Sequence, residues 1–390
     1  MKPKLLFLVT EDLYFCSHRL ALARAALAAG YDVGVITQVT AHGDIIRQAG
    51  LKLFPLPFAR SGRKPLQDLA TLSSLLRIYR RERPDLVHHV SIKPILYGSM
   101  AAAICGVPRV INAYTGLGFT FTSNRPLARV VRAAMRSLLR PWLAGRRTWT
   151  IVQNPDDRAL LRSAGLIDDA RTSLVRGSGV DTTQFRPAPE PEGIPVVLFA
   201  ARLLWDKGVG EFVEAAGKLH AAGIAARFVL VGEPDPENPM SVPVAKLEQW
   251  RQQGVIELWG RRDDMVDVFR QATIVCLPSW REGLPKVLIE AAACGRPIVT
   301  ADAPGCREIV RHGESGLLVP PKDAGALAAA IRRLLDDADC RRRMGQCGRA
   351  VAEAEFAIER VVTDTLELYR RLLGCGSPAT LKTNGGRQSL

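Results

Sequence analysis

Short runs of valine, isoleucine and leucine alternate with longer amphipathic stretches along nearly the whole chain, and this alternation restricts the fold most. Strands that alternate with helical stretches are typical of a parallel sheet covered by helices on both faces. The predicted strands of the first half are residues 5–9, 32–36, 52–56, 86–90, 110–113, 150–153 and 173–175. Those of the second half are residues 196–200, 227–231, 256–258, 274–277, 298–300 and 317–319. The pattern predicts an α/β protein with two doubly wound, Rossmann-like halves.

A proline-rich segment separates the two halves. The sequence RPAPEPEGIP (residues 186–195) contains four prolines and cannot form a regular helix or strand. We expect a first domain over residues 1–186, a linker over 187–195 and a second domain over 196–355. A last helix (356–374) is expected to cross back to the first domain, and the tail (375–390) to be disordered. Two such domains face each other across a cleft at the carboxyl ends of their strands, where ligands bind.

Charge is distributed unevenly along the chain. The chain has 53 Lys and Arg residues against 39 Asp and Glu residues, which gives a formal net charge of +14. Residues 86–155 contain no acidic residue at all. A block of one sign indicates an anionic partner, such as a phosphorylated substrate, an anionic lipid or a nucleic acid. A solvated basic surface without a partner is the alternative.

The sequence shows no sign of export or membrane insertion. Its apolar runs are far shorter than the roughly 20 residues that a membrane-spanning helix needs. The first apolar run is followed at once by Glu11 and Asp12, which favours a buried strand over a signal peptide. Eight cysteines are scattered without a Cys-x-x-Cys pair, as expected for reduced thiols. We therefore expect a cytoplasmic protein.

The strongest motif is PSWREGLPKVLIEAAACGRPIVT, which follows a predicted strand of the second half. Its Gly-Leu-Pro turn precedes a helix, and a helix N-terminus offers free N–H groups to an anion. Glu282 lies just before this turn and could accept hydrogen bonds from a sugar, whereas Glu290 could hold a ribose diol. Alternatively, Glu282 caps the helix and Glu290 is a surface charge. Glu290 lies within the apolar run VLIEAAA, where an unpaired charge would be costly, and this weakens the alternative.

A second motif, AARLLWDKGV, follows the first strand of the second half. Its Arg202 and Lys207 are five residues apart in a strand-to-helix loop. Cations at the carboxyl end of a parallel strand can bind a diphosphate that faces the cleft. Two cations in one loop are common, so the inference depends on their location at the carboxyl end of a strand.

These motifs, with PGCREIVRHGESGLLVP, resemble the donor half of family 4 glycosyltransferases. In the first half, TEDLYFCSHR, DLVHHVSIKPILYG, NAYTGLGFTF, QNPDDR and GSGVDTTQF resemble the bacterial branch that extends sugars on undecaprenyl diphosphate. The resemblance covers about residues 4–373. It implies a two-domain GT-B fold and retaining transfer of a sugar, with UDP-N-acetylhexosamine or UDP-hexose as donor substrate and a polyprenyl-diphosphate-linked saccharide as acceptor. It implies no cofactor and no metal.

The resemblance also assigns roles to the donor residues. Arg202 and Lys207 would neutralise the donor diphosphate, as a metal does in other transferases. Glu282 would face the donor sugar and Glu290 would hold the ribose, with the backbone of Gly283 and Leu284 beside the phosphates. The Gly-Gly pair that many relatives carry after the first strand is absent here, as is the histidine after a later strand, which leaves the acid/base group unassigned.

Several polar residues of the first half are acceptor-side candidates. His88 and His89 end a predicted strand and could reach a sugar hydroxyl or a phosphate, His88 in a catalytic role; structural histidines are the alternative. The turn after the first strand contributes four more candidates: Glu11, Asp12, Tyr14 and His18. Ser17 is predicted to cap a helix that runs to Ala29 and stops at Gly30, so a local role for His18 is also open.

The segment RPLARVVRAAMRSLLRPWLA is predicted to form an amphipathic helix that rests on an anionic membrane. Its arginines are spaced 4, 3, 4 and 4 residues apart, which places them on one stripe, and Trp142 follows near the end. The arginines are Arg125, Arg129, Arg132, Arg136 and Arg140. An apolar face packed into the first domain is the alternative. We expect peripheral binding to the inner face of the cytoplasmic membrane.

Other function classes lack a motif. The pair Asp337 and Asp339 has the spacing of a metal site but lies far from any strand end, and no Gly-x-Gly-x-x-Gly follows the first strand. A sugar-nucleotide epimerase of the same fold and a basic nucleic-acid-binding protein are the competing hypotheses. With 6% aromatic residues and no RNA-binding signature, we expect no nucleic-acid partner.

Overall fold

The computed structural model describes residues 2–58, 65–117, 140, 142–143 and 145–374. Within them, the chain forms two parallel sheets, one of 7 strands in the order β3-β2-β1-β4-β5-β6-β7 and one of 6 strands in the order β10-β9-β8-β11-β12-β13. The order reverses between β1 and β4 and again between β8 and β11. These reversals confirm the predicted doubly wound architecture, and each opens a crevice at the carboxyl ends of its strands.

The first half contains the 7-stranded sheet. Its strands are β1 (Lys4–Glu11), β2 (Asp32–Gln38), β3 (Lys52–Pro55), β4 (Leu86–Val90), β5 (Arg109–Ala113), β6 (Thr148–Val152) and β7 (Thr172–Leu174). Its described helices are α1 (Asp12–His18), α2 (Leu20–Ala28), α3 (Gly43–Gln48), α4 (Pro65–Glu82), α5 (Ile92–Ile104) and α6 (Pro155–Ser163).

The second half contains the 6-stranded sheet. Its strands are β8 (Val196–Ala200), β9 (Arg227–Val231), β10 (Glu257–Gly260), β11 (Ile274–Leu277), β12 (Ile298–Ala301) and β13 (Gly316–Val319). The helices are α7 (Val209–Ala221), α8 (Val244–Gln252), α9 (Met265–Arg270), α10 (Lys286–Ala293), α11 (Ala324–Asp336), α12 (Ala338–Glu355) and α13 (Ile358–Leu373).

Every predicted strand is present, and its ends lie within two residues of the prediction. The prediction for the first helix was wrong. Ser17 does not cap a helix: α1 already begins at Asp12, and the Ser17 hydroxyl donates back to Leu13 O at 2.9 Å. The helical stretch is instead interrupted at Arg19, whose φ of −130° is not helical. Gly30 has φ +93°, a left-handed conformation that glycine adopts without strain, so the predicted stop is correct.

The last helix lies against the first half. α13 packs on α2, and the buried Tyr369 lies in the same apolar cluster as Phe7 of β1. Residues 186–195 form no helix or strand, in agreement with their prolines. The chain thus crosses between the halves twice, at this segment and before α13. The predicted disordered tail (375–390) lies outside the described residues.

Candidate active site

The crevice between β8 and β11 gathers the predicted donor residues. Arg202 and Lys207 follow β8, and Glu282 follows β11, the neighbouring strand. Lys207 ends a single 3-10 turn, Trp205–Lys207, and the next residue, Gly208, has φ +81°. A Cβ on Gly208 would lie 2.3 Å from Pro278 O, so only glycine lets the two loops approach this closely.

Lys207 and Glu282 form a two-pronged ion pair. The Lys207 Nζ lies 2.6 Å and 2.7 Å from the two carboxylate oxygens of Glu282. The Ser279 hydroxyl donates to Glu282 Oε1 at 2.7 Å, which fixes the carboxylate further. Both charged side chains are less than one fifth exposed. The ion pair therefore holds two residues that are 75 positions apart in the chain at one point of the crevice.

Arg202 and Glu290, the other two charged donor candidates, each have an ion-pair partner of their own. The Arg202 guanidinium is exposed and contacts Asp235 Oδ2 at 2.8 Å. Glu290 is buried in α10 and contacts Lys286 Nζ at 3.0 Å. Burial raises the pKa of Glu290, and the charge of Lys286 acts in the opposite direction. Each of the four charged donor candidates thus has a partner of opposite charge, and Asp235 and Lys286 are partners that the sequence did not single out.

The turn before α10 also contacts the first half. A Cβ on Gly283 would lie 2.2 Å from Thr115 O, and Gly283 O accepts a hydrogen bond from Asn154 Nδ2 at 2.7 Å. Arg281 forms an ion pair with the fully buried Asp157. Pro285, which precedes α10, provides no side-chain cap. The turn predicted to face the donor phosphates is therefore also a point of contact between the two halves.

Asp12 does not face a cleft, which corrects one acceptor-side prediction. It is fully buried and accepts hydrogen bonds from Thr40 N at 2.7 Å, Thr40 Oγ1 at 2.6 Å and His42 N at 2.8 Å. Burial alone would raise the pKa of Asp12, but these hydrogen bonds hold it below its usual value. Its carboxylate tethers the loop after β2 to the start of α1.

His88 and His89 are likewise interior residues, and the prediction that either reaches a sugar or phosphate does not hold here. His88 Nδ1 hydrogen-bonds the Tyr369 hydroxyl at 2.6 Å. His89 Nδ1 contacts Asn112 Oδ1 at 2.9 Å, and its Nε2 contacts the Tyr79 hydroxyl at 3.0 Å. β4 is a central strand with helices on both faces, so its alternating side chains are buried on either side. Burial lowers the pKa of His89 to about 4.

Tyr14 and His18 have a different position, towards the second half. Their rings stack with centroids 4.1 Å apart, and His18 Nδ1 lies 2.6 Å from the Ser17 hydroxyl. Burial, followed by the positive charges of Lys286 and Arg19, lowers the pKa of His18 to about 3. His18 is therefore neutral at pH 7. It lies close enough to α10 for the charge of Lys286, the first residue of that helix, to affect its pKa. Glu11 ends β1 in the same region and is partly buried.

Most of the predicted membrane helix lies outside the described residues, including Arg125, Arg129, Arg132 and Arg136. Arg140 is exposed and Trp142 is partly buried. Within the described part of the chain, no helix is both long and apolar enough to cross a membrane. The same part contains no group of three or more metal-ligating side chains. Asp337 instead caps α12 by accepting from Cys340 N at 2.8 Å.

Sequence reasoning missed three residues at the contact between the halves: Asn154, Asp157 and Arg281. Asn154 carried a local signal, since Asn-Pro before an amphipathic stretch is typical of a helix start, and Asn154 does cap α6. Nothing in the sequence connects Asp157 with Arg281, because they are 124 residues apart.

Comparison with protein families matches both halves. Residues 4–148 match the family described as Glycosyl transferase 4-like, and residues 194–337 match the family described as Glycosyl transferases group 1. Two solved structures share the fold. Sucrose-phosphate synthase from Thermosynechococcus elongatus has a TM-score of 0.79 at 21% identity, covering 96% of this chain and 100% of that chain. HepE from Anabaena, solved with UDP-glucose, has a TM-score of 0.76 at 19% identity, covering 94% and 99%. The fold is GT-B.

Two bacterial enzymes are similar in sequence over most of their length. The N,N'-diacetylbacillosaminyl-diphospho-undecaprenol alpha-1,3-N-acetylgalactosaminyltransferase of Campylobacter jejuni is 28% identical over 356 residues, which span 88% of this chain and 92% of that enzyme. The UDP-Gal:alpha-D-GlcNAc-diphosphoundecaprenol alpha-1,3-galactosyltransferase of Escherichia coli is 24% identical over 309 residues, 76% and 78%. An epimerase or a nucleic-acid-binding protein is not favoured, because both halves match transferase families.

Proposed function

Both halves of the chain belong to glycosyltransferase families, and on that basis we propose that the protein transfers a hexose or N-acetylhexosamine from a UDP-sugar to a saccharide carried on a polyprenyl diphosphate. The names of the two similar bacterial enzymes include an undecaprenol-linked acceptor, and the name of the E. coli enzyme also includes UDP-Gal. Such a transfer would serve the assembly of a polysaccharide, an O-antigen or a protein-linked glycan.

The observation that carries this proposal is the Lys207–Glu282 pair beside the uncapped start of α10. In the transfer, the bond between the anomeric carbon and the phosphate oxygen breaks, and a bond to the acceptor hydroxyl oxygen forms. Negative charge develops on the departing diphosphate, so cations fixed nearby in advance accelerate the reaction. Lys207, with Arg202 and the N–H groups that start α10, supplies this positive charge.

Glu282 positions the donor sugar in this proposal. Its carboxylate is already held by Ser279 and Lys207, so its direction is set before substrate binds. We propose retention of the anomeric configuration, with the proton of the acceptor hydroxyl passing to the departing phosphate oxygen on the same face of the sugar. This route requires no protein nucleophile and no metal ion, because protein cations neutralise the diphosphate.

The donor site can be tested with a panel of UDP-sugars, by thermal shift and then by turnover on polyprenyl-diphosphate-linked acceptors. A donor that binds raises the Tm by mass action. Glu282→Ala should reduce turnover more than tenfold, since a lost hydrogen bond to a charged group costs about 1.5–3 kcal/mol. Lys207→Met should weaken both donor binding and turnover.

Two outcomes would contradict the donor-site assignment. One is full activity of a folded Glu282→Ala variant. The other is complete loss of activity after treatment with EDTA that only an added divalent ion restores. The exposed pair Arg251–Glu248 provides a control, because Glu248→Ala removes a carboxylate–arginine contact on the outer face of α8. That variant should retain wild-type turnover, since exposed pairs contribute little.

We further propose that the basic part of the first half rests on the cytoplasmic face of an anionic membrane, where the lipid-linked acceptor resides. The acid-free block of residues 86–155 supports this, as do three exposed arginines of α4, Arg77, Arg80 and Arg81, which line a surface cavity. Each arginine near an anionic leaflet contributes about 1 kcal/mol of attraction.

Co-sedimentation with vesicles that contain anionic lipid tests the membrane proposal. We expect wild type to sediment and a variant with Arg129, Arg132 and Arg136 changed to Glu to stay in the supernatant. A matched variant with the same change of charge at Arg332, Arg333 and Arg343, which are exposed in the second half, should behave like wild type. Equal sedimentation of the wild type and the first variant would refute the proposal.

A further inference from the structure

Arg19 is a buried cation that has no acidic partner among the described residues. Its side chain lies at the break between α1 and α2 and is 5% exposed. Its Nε is buried and has no hydrogen-bond partner within the described part of the chain, and its Nη1 lies 3.5 Å from Gly177 O, at the limit of a hydrogen bond. No carboxylate of the described residues pairs with it. A buried charge in this state is costly for the fold.

The deeply buried arginines of the second half, unlike Arg19, have several hydrogen-bond partners. Arg296 donates to three carbonyl oxygens, those of Phe269, Pro189 and Arg270, at 2.9–3.2 Å. Arg341 pairs with Glu190 and also donates to two carbonyl oxygens that end α11. Folding therefore provides partners for these buried guanidinium groups. Arg281 also has a buried Nε without a hydrogen-bond partner, but its guanidinium pairs with Asp157. Among the described residues Arg19 has no such carboxylate, and this difference calls for a ligand.

The surroundings of Arg19 indicate where such a ligand would lie. Gly177, whose carbonyl Arg19 approaches, is so close to the second half that a Cβ on it would lie 2.9 Å from Leu284 Cδ2. Leu284 belongs to the turn before α10. His18, the neighbour of Arg19, is near enough to Lys286 for that charge to lower its pKa. Two residues next to Arg19 thus lie near the start of α10: Gly177 is close to Leu284, and His18 is close to Lys286.

We propose that Arg19 binds a phosphoryl oxygen of a substrate, as a cation that the first half adds to those of the second half. The inference rests on the proposed function, which supplies two phosphorylated substrates. The phosphoryl group belongs either to the donor diphosphate or to the diphosphate of the lipid-linked acceptor. A guanidinium suits both, because its N–H groups match the geometry of phosphate oxygens.

The test compares Arg19→Met with Arg24→Met, which removes the same charge from the exposed face of α2. Calorimetric titration with UDP measures the affinity for the donor diphosphate. The KM for a polyprenyl-diphosphate-linked acceptor measures the interaction with the acceptor diphosphate. If the donor is the ligand, Arg19→Met should weaken UDP binding about tenfold or more. If the acceptor is the ligand, UDP binding should be unchanged and the acceptor KM should rise by a similar factor. Arg24→Met should alter neither quantity.

Ligand-free stability separates a binding role from a structural one. Methionine keeps most of the apolar volume and removes an unpaired buried charge, so ligand-free Arg19→Met should melt at or above the Tm of wild type. A lower Tm would show that the guanidinium stabilises the fold and would overturn the inference. Unchanged UDP affinity together with an unchanged acceptor KM would overturn it as well. If wild type itself binds no nucleotide sugar, the proposed function fails instead.

Discussion

At the scale of single residues, burial determines which histidines can take part in chemistry. His89 has hydrogen-bond partners on both ring nitrogens and no exposed surface. His88 is equally buried, and its Nε2 has no hydrogen-bond partner in the part of the chain that the structure describes. Burial lowers the pKa of both rings, so both are neutral at pH 7. Neutral, enclosed imidazoles fix the packing around β4 but cannot exchange protons with a substrate.

The shifted pKa of His89 predicts sensitivity to acid. In the unfolded chain the ring takes up a proton near pH 6.5, whereas in the folded protein it does so near pH 4. Stability is therefore lost as the pH falls from about 6.5 to 4, by about 3 kcal/mol for this ring. Between pH 7 and 4.5, His89→Gln should lose less free energy of unfolding in urea than wild type. The exposed His312 gives the control His312→Gln, and an equal loss in His89→Gln and wild type would contradict the prediction.

At the scale of elements, α13 joins the end of the chain to the first half. Its Tyr369 is fully buried, hydrogen-bonds His88 at 2.6 Å and packs edge-to-face against Tyr31. Arg109 Nε donates to Leu372 O at 2.7 Å, close to the helix end. The amphipathic pattern of residues 358–373 predicts a helix, and the buried Tyr369 is the residue that anchors it.

Removal of the Tyr369 hydroxyl should destabilise this contact. Tyr369→Phe leaves a buried imidazole nitrogen without a partner, which costs about 1–3 kcal/mol. His88→Leu alone should have a similar cost because it strands the hydroxyl. The free energy of unfolding of the double variant should fall by less than the sum of the falls in the two single variants, since both polar groups are then gone. Urea unfolding of the four proteins measures the coupling, and strict additivity would show that the hydrogen bond contributes nothing.

At the scale of the whole molecule, one turn both builds the donor site and joins the halves. The turn between β11 and α10 carries Glu282 towards Lys207 and, one residue earlier, carries Arg281 to Asp157 of α6. Asp157 is fully buried, and burial raises the pKa of its carboxyl against the charge of Arg281. Contact between the halves and the shape of the donor site are therefore coupled.

Loss of the Arg281–Asp157 pair should open the molecule. Removing one member of a buried pair costs about 3–5 kcal/mol, and separation of the halves relieves this cost by exposing Arg281 to water. For Asp157→Asn we expect a larger radius of gyration in X-ray scattering and a higher KM for the donor. Asp156→Asn is the control, since Asp156 makes only a partly exposed, 3.5 Å contact with Arg307. An unchanged radius and KM in Asp157→Asn would disprove the coupling.

Much of the architecture follows from local sequence. Buried parallel strands need continuous apolar runs, and helices between them need amphipathic ones, so each strand could be placed to within two residues. The prolines of residues 186–195 excluded regular structure there. The order of the strands places the loops after β8 and β11 at one crevice, which is why Lys207 and Glu282 meet there.

The sequence by itself determined the two α/β halves, the segment between them and the donor loops, because apolar periodicity and turn chemistry act over a few residues. Only the tertiary structure decided which polar residues are enclosed. Asp12 is tethered to residues 28 and 30 positions away, and His88 is covered by Tyr369, 281 positions away. Whether a side chain meets water or a partner depends on elements that pack over it from distant parts of the chain, and no local pattern encodes that.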